Sequence, residues 1–445
     1  GTNVHGIRGY NSYGPDMYIR AVNVTGGNAG ISATNTGEGA TTIITTGAVT
    51  GGNDGIAASH EGDGALTITA TGPVSATKAG SSGIEAGSRI SALNISTGDA
   101  SGGAYGIFAS SNGGGVSITV SGAVTGGNAG IFVFGNYDSV PVNITLNDGA
   151  VVSGGNQAIG GIFSHEVVTV NTGASVSGKI SLHHGNDSLT FDGGDFSGVT
   201  RFDGGGNSNL GNDDTLTFRG GSSGTLNGAR VINWETVVIG TGGNISVSGA
   251  LNAEVQVEDG GVLGGAGSIG GNLAVASGGS VGPGNSPGTM VVAGDFDLAS
   301  GATLEIEVNG NGAGEFDLLQ VGGTADFAAG SIIDFTFAVP EADLFDGFAV
   351  TFLTAEDITG FADIADIVFN FFGLGSDYTA SVGFNDGLQG PDSLFVTLSE
   401  VTQTGGGNNG GNGDPVPEPG MLGLLGAGLL GLFGLARRRR MTAAA

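Results

Sequence analysis

Along the first 180 residues apolar and polar positions alternate in short runs, and the runs recur. The segment GDGALTITATG at 62–72 sets Leu66, Ile68 and Ala70 on one side and Thr67 and Thr69 on the other. A period of two in residues that form helices poorly predicts a strand with one face inward. VTGGNAGISA at 24–33 returns as VTGGNDGIAA at 49–58 and VTGGNAGIFV at 124–133, with looser copies SGGAYGIFAS at 101–110 and VSGGNQAIGGIF at 152–163. Ile7, Ile31, Ile56, Ile84, Ile107, Ile131 and Ile162 mark the copies, at spacings of 24, 25, 28, 23, 24 and 31. A second apolar series runs through Ile44, Ile68, Ile95, Ile118 and Ile144.

A repeat near 25 residues, too short to enclose a core alone, predicts a β-solenoid whose coils stack their isoleucines. At the strand spacing of about 4.8 Å, seven coils make a rod of roughly 34 Å. The outward neighbours of the inner isoleucines, Thr67/Thr69, Ser117/Thr119 and Asn143/Thr145, form an array of small polar groups interrupted by Ile43, Asn94 and Ser96. Such hydroxyl arrays can order water as ice does. Threonine is also simply a good exposed strand residue. The asparagines of the GGN turns, Asn28, Asn53, Asn128 and Asn156, are expected to bond to each other and to backbone.

Near Ser181 the texture changes. GNDSLTFDGGDFSG at 185–198 is echoed by GNDDTLTFRGGSSG at 211–224, and PGNSPGT and GDFDLASGATLEIEV follow. These motifs resemble, in order, the passenger region of bacterial autotransporters, which implies a right-handed parallel β-helix over 181–337. No amphipathic strand series follows that would build that family's membrane barrel. The expected architecture is therefore all-β: a β-solenoid over 1–180, a passenger-like β-helix over 181–337, and Phe- and Asp-rich strands forming a C-terminal cap over 338–402. A Gly/Asn linker over 403–414 and a C-terminal segment over 415–440 complete it.

The 93 glycines follow no G-X-Y period, and Pro is only 10, which excludes collagen. Net charge is −29, and with Arg437 to Arg440 set aside 8 basic residues face 41 acidic ones, so nucleic-acid binding is excluded. Absent cysteine removes disulfides and thiol chemistry. The opening GTNVHGIRGY has no basic or apolar leader, yet Ile7 already stands inside a coil. A processed signal peptide and a lost N-terminal cap are expected.

Met421 to Ala436 is 16 residues without charge, about 24 Å as a helix against a hydrocarbon core near 30 Å. It predicts a short transmembrane helix held by Arg437, Arg438, Arg439 and Arg440 on the cytoplasmic side. Before it lies VPEPG, with Pro417, Glu418, Pro419 and Gly420. Two prolines keep this stretch extended where a processing enzyme can grip it. Pro-Glu-Pro, an apolar helix and an arginine cluster in this order resemble the PEP-CTERM sorting signal, also described as an ice-binding-protein C-terminal domain. The resemblance implies an exported protein of a Gram-negative, exopolysaccharide-making bacterium, an inner-membrane-tethered intermediate, and cleavage near Pro417–Pro419 by an exosortase.

Two carboxylates at a fixed separation, or acidic calcium ligands beside a base, would make such a rod a glycosidase or polysaccharide lyase. Here acids are scattered over short regular turns and bases in the coils are few. The expectation is a non-enzymatic structural or adhesive protein of the surface or matrix, with extracellular polysaccharide as a partner. A β-helix carbohydrate-active enzyme is the alternative and an ice-binding protein the minor one. Gly185-x-Asp187-x-Leu189 has the core spacing of a calcium-binding nonapeptide, and Asp187, Asp213 and Asp214 are the candidate Ca²⁺ ligands, with an Asx-turn as the plainer account. His60, Glu61 and Asp63, His165–Glu166 and His183–His184 are further turn candidates.

Overall fold

In the computed structural model, residues 4–135, 140–162, 165–206, 213–284, 286–340, 343–387 and 390–401 are described. The linker, the Pro-Glu-Pro stretch and the apolar segment with its arginines lie outside them. The chain is a parallel β-solenoid. A representative coil runs Ala29–Asn35, Thr41–Thr45, Val49–Gly51, then climbs to Asp54–His60 of the next. The long first strands form one wall, which the short third strands join through Ser175–Ser181 in a single 16-stranded sheet. The five-residue middle strands begin a 15-stranded wall running unbroken from Met17–Ala21 to Asp357–Thr359.

The register stacks like on like. Ile31, Ile56, Ile84, Ile107, Ile131 and Ile159 lie one above another, each fully buried. Burying such a side chain stabilises by about 1.5–3 kcal/mol. Two expected markers are displaced. Ile159, not Ile162, continues the column, because it follows the turn asparagine Asn156 by three residues, as Ile131 follows Asn128. Ile162 pairs instead with Phe134. In the second series Ile43 pairs with Ile68 and is buried, so Ile44 faces outward opposite Thr69. The partner strand decides which of two adjacent isoleucines turns in.

Ser175–Ser181 belongs to two walls at once, pairing with both Val151–Gly154 and Gln157–Ile162. Beyond it two new seven-stranded sheets start, one from Ser223–Asn227 and one from Ala250–Leu251. The interior gains rings: Phe191 stacks on Phe218 at 5.6 Å, with Phe196 and Phe202 packed around them. The apolar core continues without interruption to Leu398. One corner shows why particular glycines recur. Gly242, Gly260, Gly278, Gly301 and Gly330 all have φ between +71° and +84°. Each of the first four donates its amide to the carbonyl of the next at 2.9–3.0 Å, a left-handed turn that side chains disfavour.

At the C-terminal end the pattern turns antiparallel: Asp392–Glu400 pairs with Ala349–Ala355 and with Tyr378–Asn385. Among the described residues helical structure is confined to short 3₁₀ turns, two of which are Gly228–Arg230 and Ile364–Asp366. Among the described residues no helix is long and apolar enough to cross a membrane.

Candidate functional site

The first inward position of the 15-stranded wall carries Leu66, Leu93, Val116 and Val142 in successive coils. In the next four it carries Glu166, Asp187, Asp214 and Glu235. Asp187 accepts the Glu166 amide at 2.7 Å, Asp214 that of Asp187 at 2.6 Å, and Glu235 that of Asp214 at 2.9 Å. Each carboxyl thus clasps the backbone of the coil before it. Burial, with Glu166 beside it, pushes the Asp187 carboxyl far above the usual range. Burial likewise raises Asp214 to about 7, with Glu235 and Asp213 adding to the rise. Asp187 therefore holds its proton in the folded rod at neutral pH, and Asp214 exchanges its proton near neutrality.

The three candidate calcium ligands are therefore divided. Asp187 and Asp214 turn inward one coil apart, while Asp213 is exposed. The turn histidines divide too. His60 is buried, its Nδ1 3.1 Å from Thr41 Oγ1, while Glu61 and Asp63 are exposed. His183 and His184 sit half-buried with ring centres 6.4 Å apart; burial and then the Lys179 charge lower His183. Lys179 and Arg201 both pair with Asp203, at 3.2 and 3.4 Å. Among the described residues no group of three or more His, Asp or Glu side chains is arranged to hold a metal ion.

The outward face of the 15-stranded wall carries a hydroxyl column in register from Thr69 through Ser96, Thr119, Thr145, Thr169 and Thr190 to Thr217. Beside it run Thr67, Asn94, Ser117, Asn143, Val167, Ser188 and Thr215. The GGN asparagines stack at their turn as expected. Asn53 donates to Asn28, Asn156 to Asn128 at 2.6 Å, and Lys78 to Asn53 at 2.8 Å.

The outward face of the long-strand wall has a different character. Phe108 and Phe132, in register, stack at 6.0 Å and 14°, with the Tyr105 ring 5.3 and 5.6 Å away. One coil before Phe108 stands exposed Glu85, beside Asp54. Burial and the Asp54 charge raise Glu85; burial raises Asp54. One coil after Phe132 stands Gly160, where a Cβ would lie 2.2 Å from the Gln157 amide nitrogen, so that amide lies over the glycine. Beside Glu85 a shallow groove of about 290 Å³ runs from Phe108 and Ser110 past Gly87 to Ala57, Ser59 and Ser32. The sequence reading did not single out this strip. The signal was there: in GIF at 106–108 and 130–132, Phe follows the marker isoleucine and so faces out.

Comparison with known families assigns residues 415–440 to the PEP-CTERM protein-sorting motif. The match covers the Pro-Glu-Pro stretch, the apolar segment and the arginines. It implies export and processing by an exosortase in a Gram-negative bacterium. No curated protein matches the chain.

Proposed function

We propose that this protein is a non-enzymatic rod of the cell surface or extracellular matrix, with a structural or adhesive role. The observation that carries the reading is the sorting motif at 415–440 attached to a long, regular solenoid. A chain that an exosortase sorts works outside the inner membrane. A stack of coils gives it length, and an acidic surface keeps it soluble. In this account Met421 to Ala436 tethers an intermediate in the inner membrane until cleavage near Pro417–Pro419. The segment over 181–337 is read as passenger-like, and the antiparallel strands after it as a cap protecting the last open edge.

Changing Pro417, Glu418 and Pro419 together to alanine, in a host with an exosortase, tests the reading. Fractionation should show an uncleaved precursor held with the membrane. Normal processing and surface delivery of this variant would sink the account. Incubation with polysaccharides should leave their chain length unchanged; measured depolymerisation would turn the assignment to a carbohydrate-active enzyme. The hydroxyl column of seven coils favours one second reading, ice binding. A freezing-hysteresis measurement on the full chain decides that question, and Thr145→Leu, which interrupts the column, should abolish any activity found.

A further inference from the structure

The strip around Phe108 and Phe132 is built unlike the rest of the rod surface. It runs along the stacking direction from Ser32 through Ala57, Glu85, Phe108 and Phe132 to Gly160, all in register. Six coils at about 4.8 Å span roughly 24 Å. Its aromatic rings are half-buried and pack on one another. Hydrogen-bonding groups flank them at both ends, a carboxyl at Glu85 and the Gln157 amide above Gly160.

We propose that this strip binds an uncharged polysaccharide chain lying along the rod, its sugar rings stacked on Phe108 and Phe132 and its hydroxyls held by Glu85 and Gln157. The site rests on the reading of the protein as a surface or matrix rod, and gives that rod a ligand. A sugar ring presents an apolar C–H face that matches an aromatic ring, and an edge of hydroxyls that donate to a carboxyl and exchange hydrogen bonds with an amide. The groove beside Glu85 starts at Phe108 and is otherwise lined largely by small side chains, which gives a chain room to continue past the rings. Charge decides the class of polymer. Net charge is −29, and Glu85 and Asp54 stand one and two coils before the Tyr105–Ser111 strand, so a polyanionic glycan is repelled. Three rings beside acids are also too small an apolar surface for a stable protein partner, which needs on the order of 800 Å² from each side.

Native gels cast with hydroxyethyl cellulose, galactomannan, dextran or alginate provide the test, using the full chain, which at a pI near 4.1 migrates as an anion. At least one neutral polymer should retard the wild type. In that polymer the Phe108→Ala/Phe132→Ala variant should show a dissociation constant raised tenfold or more. Glu85→Gln should raise it a few-fold, and Thr119→Ala on the other wall should leave it unchanged. Should the double variant melt early, Phe132→Leu, which keeps apolar volume but loses the ring, replaces it and should still weaken binding. The proposal is overturned by no retardation in any neutral polymer, by retardation in alginate alone, or by full retardation of the ring variants. Self-association of the wild type that the ring variants lose would also overturn it, assigning the face to a second copy. None of these outcomes touches processing at Pro417–Pro419, so the surface-rod reading stands or falls separately.

Discussion

One column of the interior is built in two ways. Through Leu66, Leu93, Val116 and Val142 it is apolar, and coil adds to coil by contact alone. Through Glu166, Asp187, Asp214 and Glu235 it is acidic, and coil adds to coil by a carboxyl gripping the backbone amide of its predecessor. The same slot accepts either chemistry because a solenoid requires only that each layer match its neighbours. An apolar side chain is matched by anything apolar. A buried acid must find a donor and keep its proton.

Moving one chemistry into the other region should give the largest effect. Leu93→Asp sets a single carboxyl between Leu66 and Val116, with no acid in the column beside it. A loss of more than about 4 kcal/mol in denaturant unfolding is expected, or failure to fold. Next in size is removal of a ring beyond the change of chemistry. Phe218→Ala takes away the partner of Phe191 and should cost about 3–5 kcal/mol in the same measurement.

A smaller effect of opposite sign tests the acidic region itself. Asp214 has a folded pKa of about 7 against an ordinary 3.8, so the unfolded chain releases this proton at lower pH than the folded one. Its contribution to stability is therefore complete below pH 4 and declines as pH rises toward 7. Asp214→Asn mimics the protonated acid and retains an oxygen for the Asp187 amide. It should stabilise the protein by about 1–3 kcal/mol at pH 8 and have little effect at pH 4. Equal melting shifts at both pH values would deny that burial raises the Asp214 carboxyl. The smallest change expected is at the solvent edge. Asn53→Ala breaks the asparagine stack and should cost about 0.5–1.5 kcal/mol, detectable as a melting shift of a degree or so.

The same contrast marks what could be read from the sequence. The coils were legible because Ile, Gly and Asn recur at nearly fixed distances, and register then follows from repetition. Where two neighbours were equally apolar, at Ile43 and Ile44, only the strand stacked against them chose the inward one. The acidic column was missed because GND reads as a turn, and turn acids are usually solvated. Parity held the answer: Asp187 precedes inward Leu189 by two residues, and Asp214 precedes inward Leu216 by two. The aromatic strip needed one step more, the realisation that a repeat of 24 residues sets Phe132 directly over Phe108. The Pro-Glu-Pro segment was legible for another reason, since its meaning lies in the order of its chemical parts.

The pairing of each coil with the one before it also bears on how such a protein is made. Ile31 finds Ile56 and Ile56 finds Ile84, so for most of the length a strand's partner is only a coil away in the chain. Contacts this close in sequence need little loop closure, and order can spread from one finished layer to the next. A chain emerging from a translocation channel N-terminus first can therefore assemble as it appears, each new layer templated by the last. It has no need to wait for its final residues before the first coils close on one another.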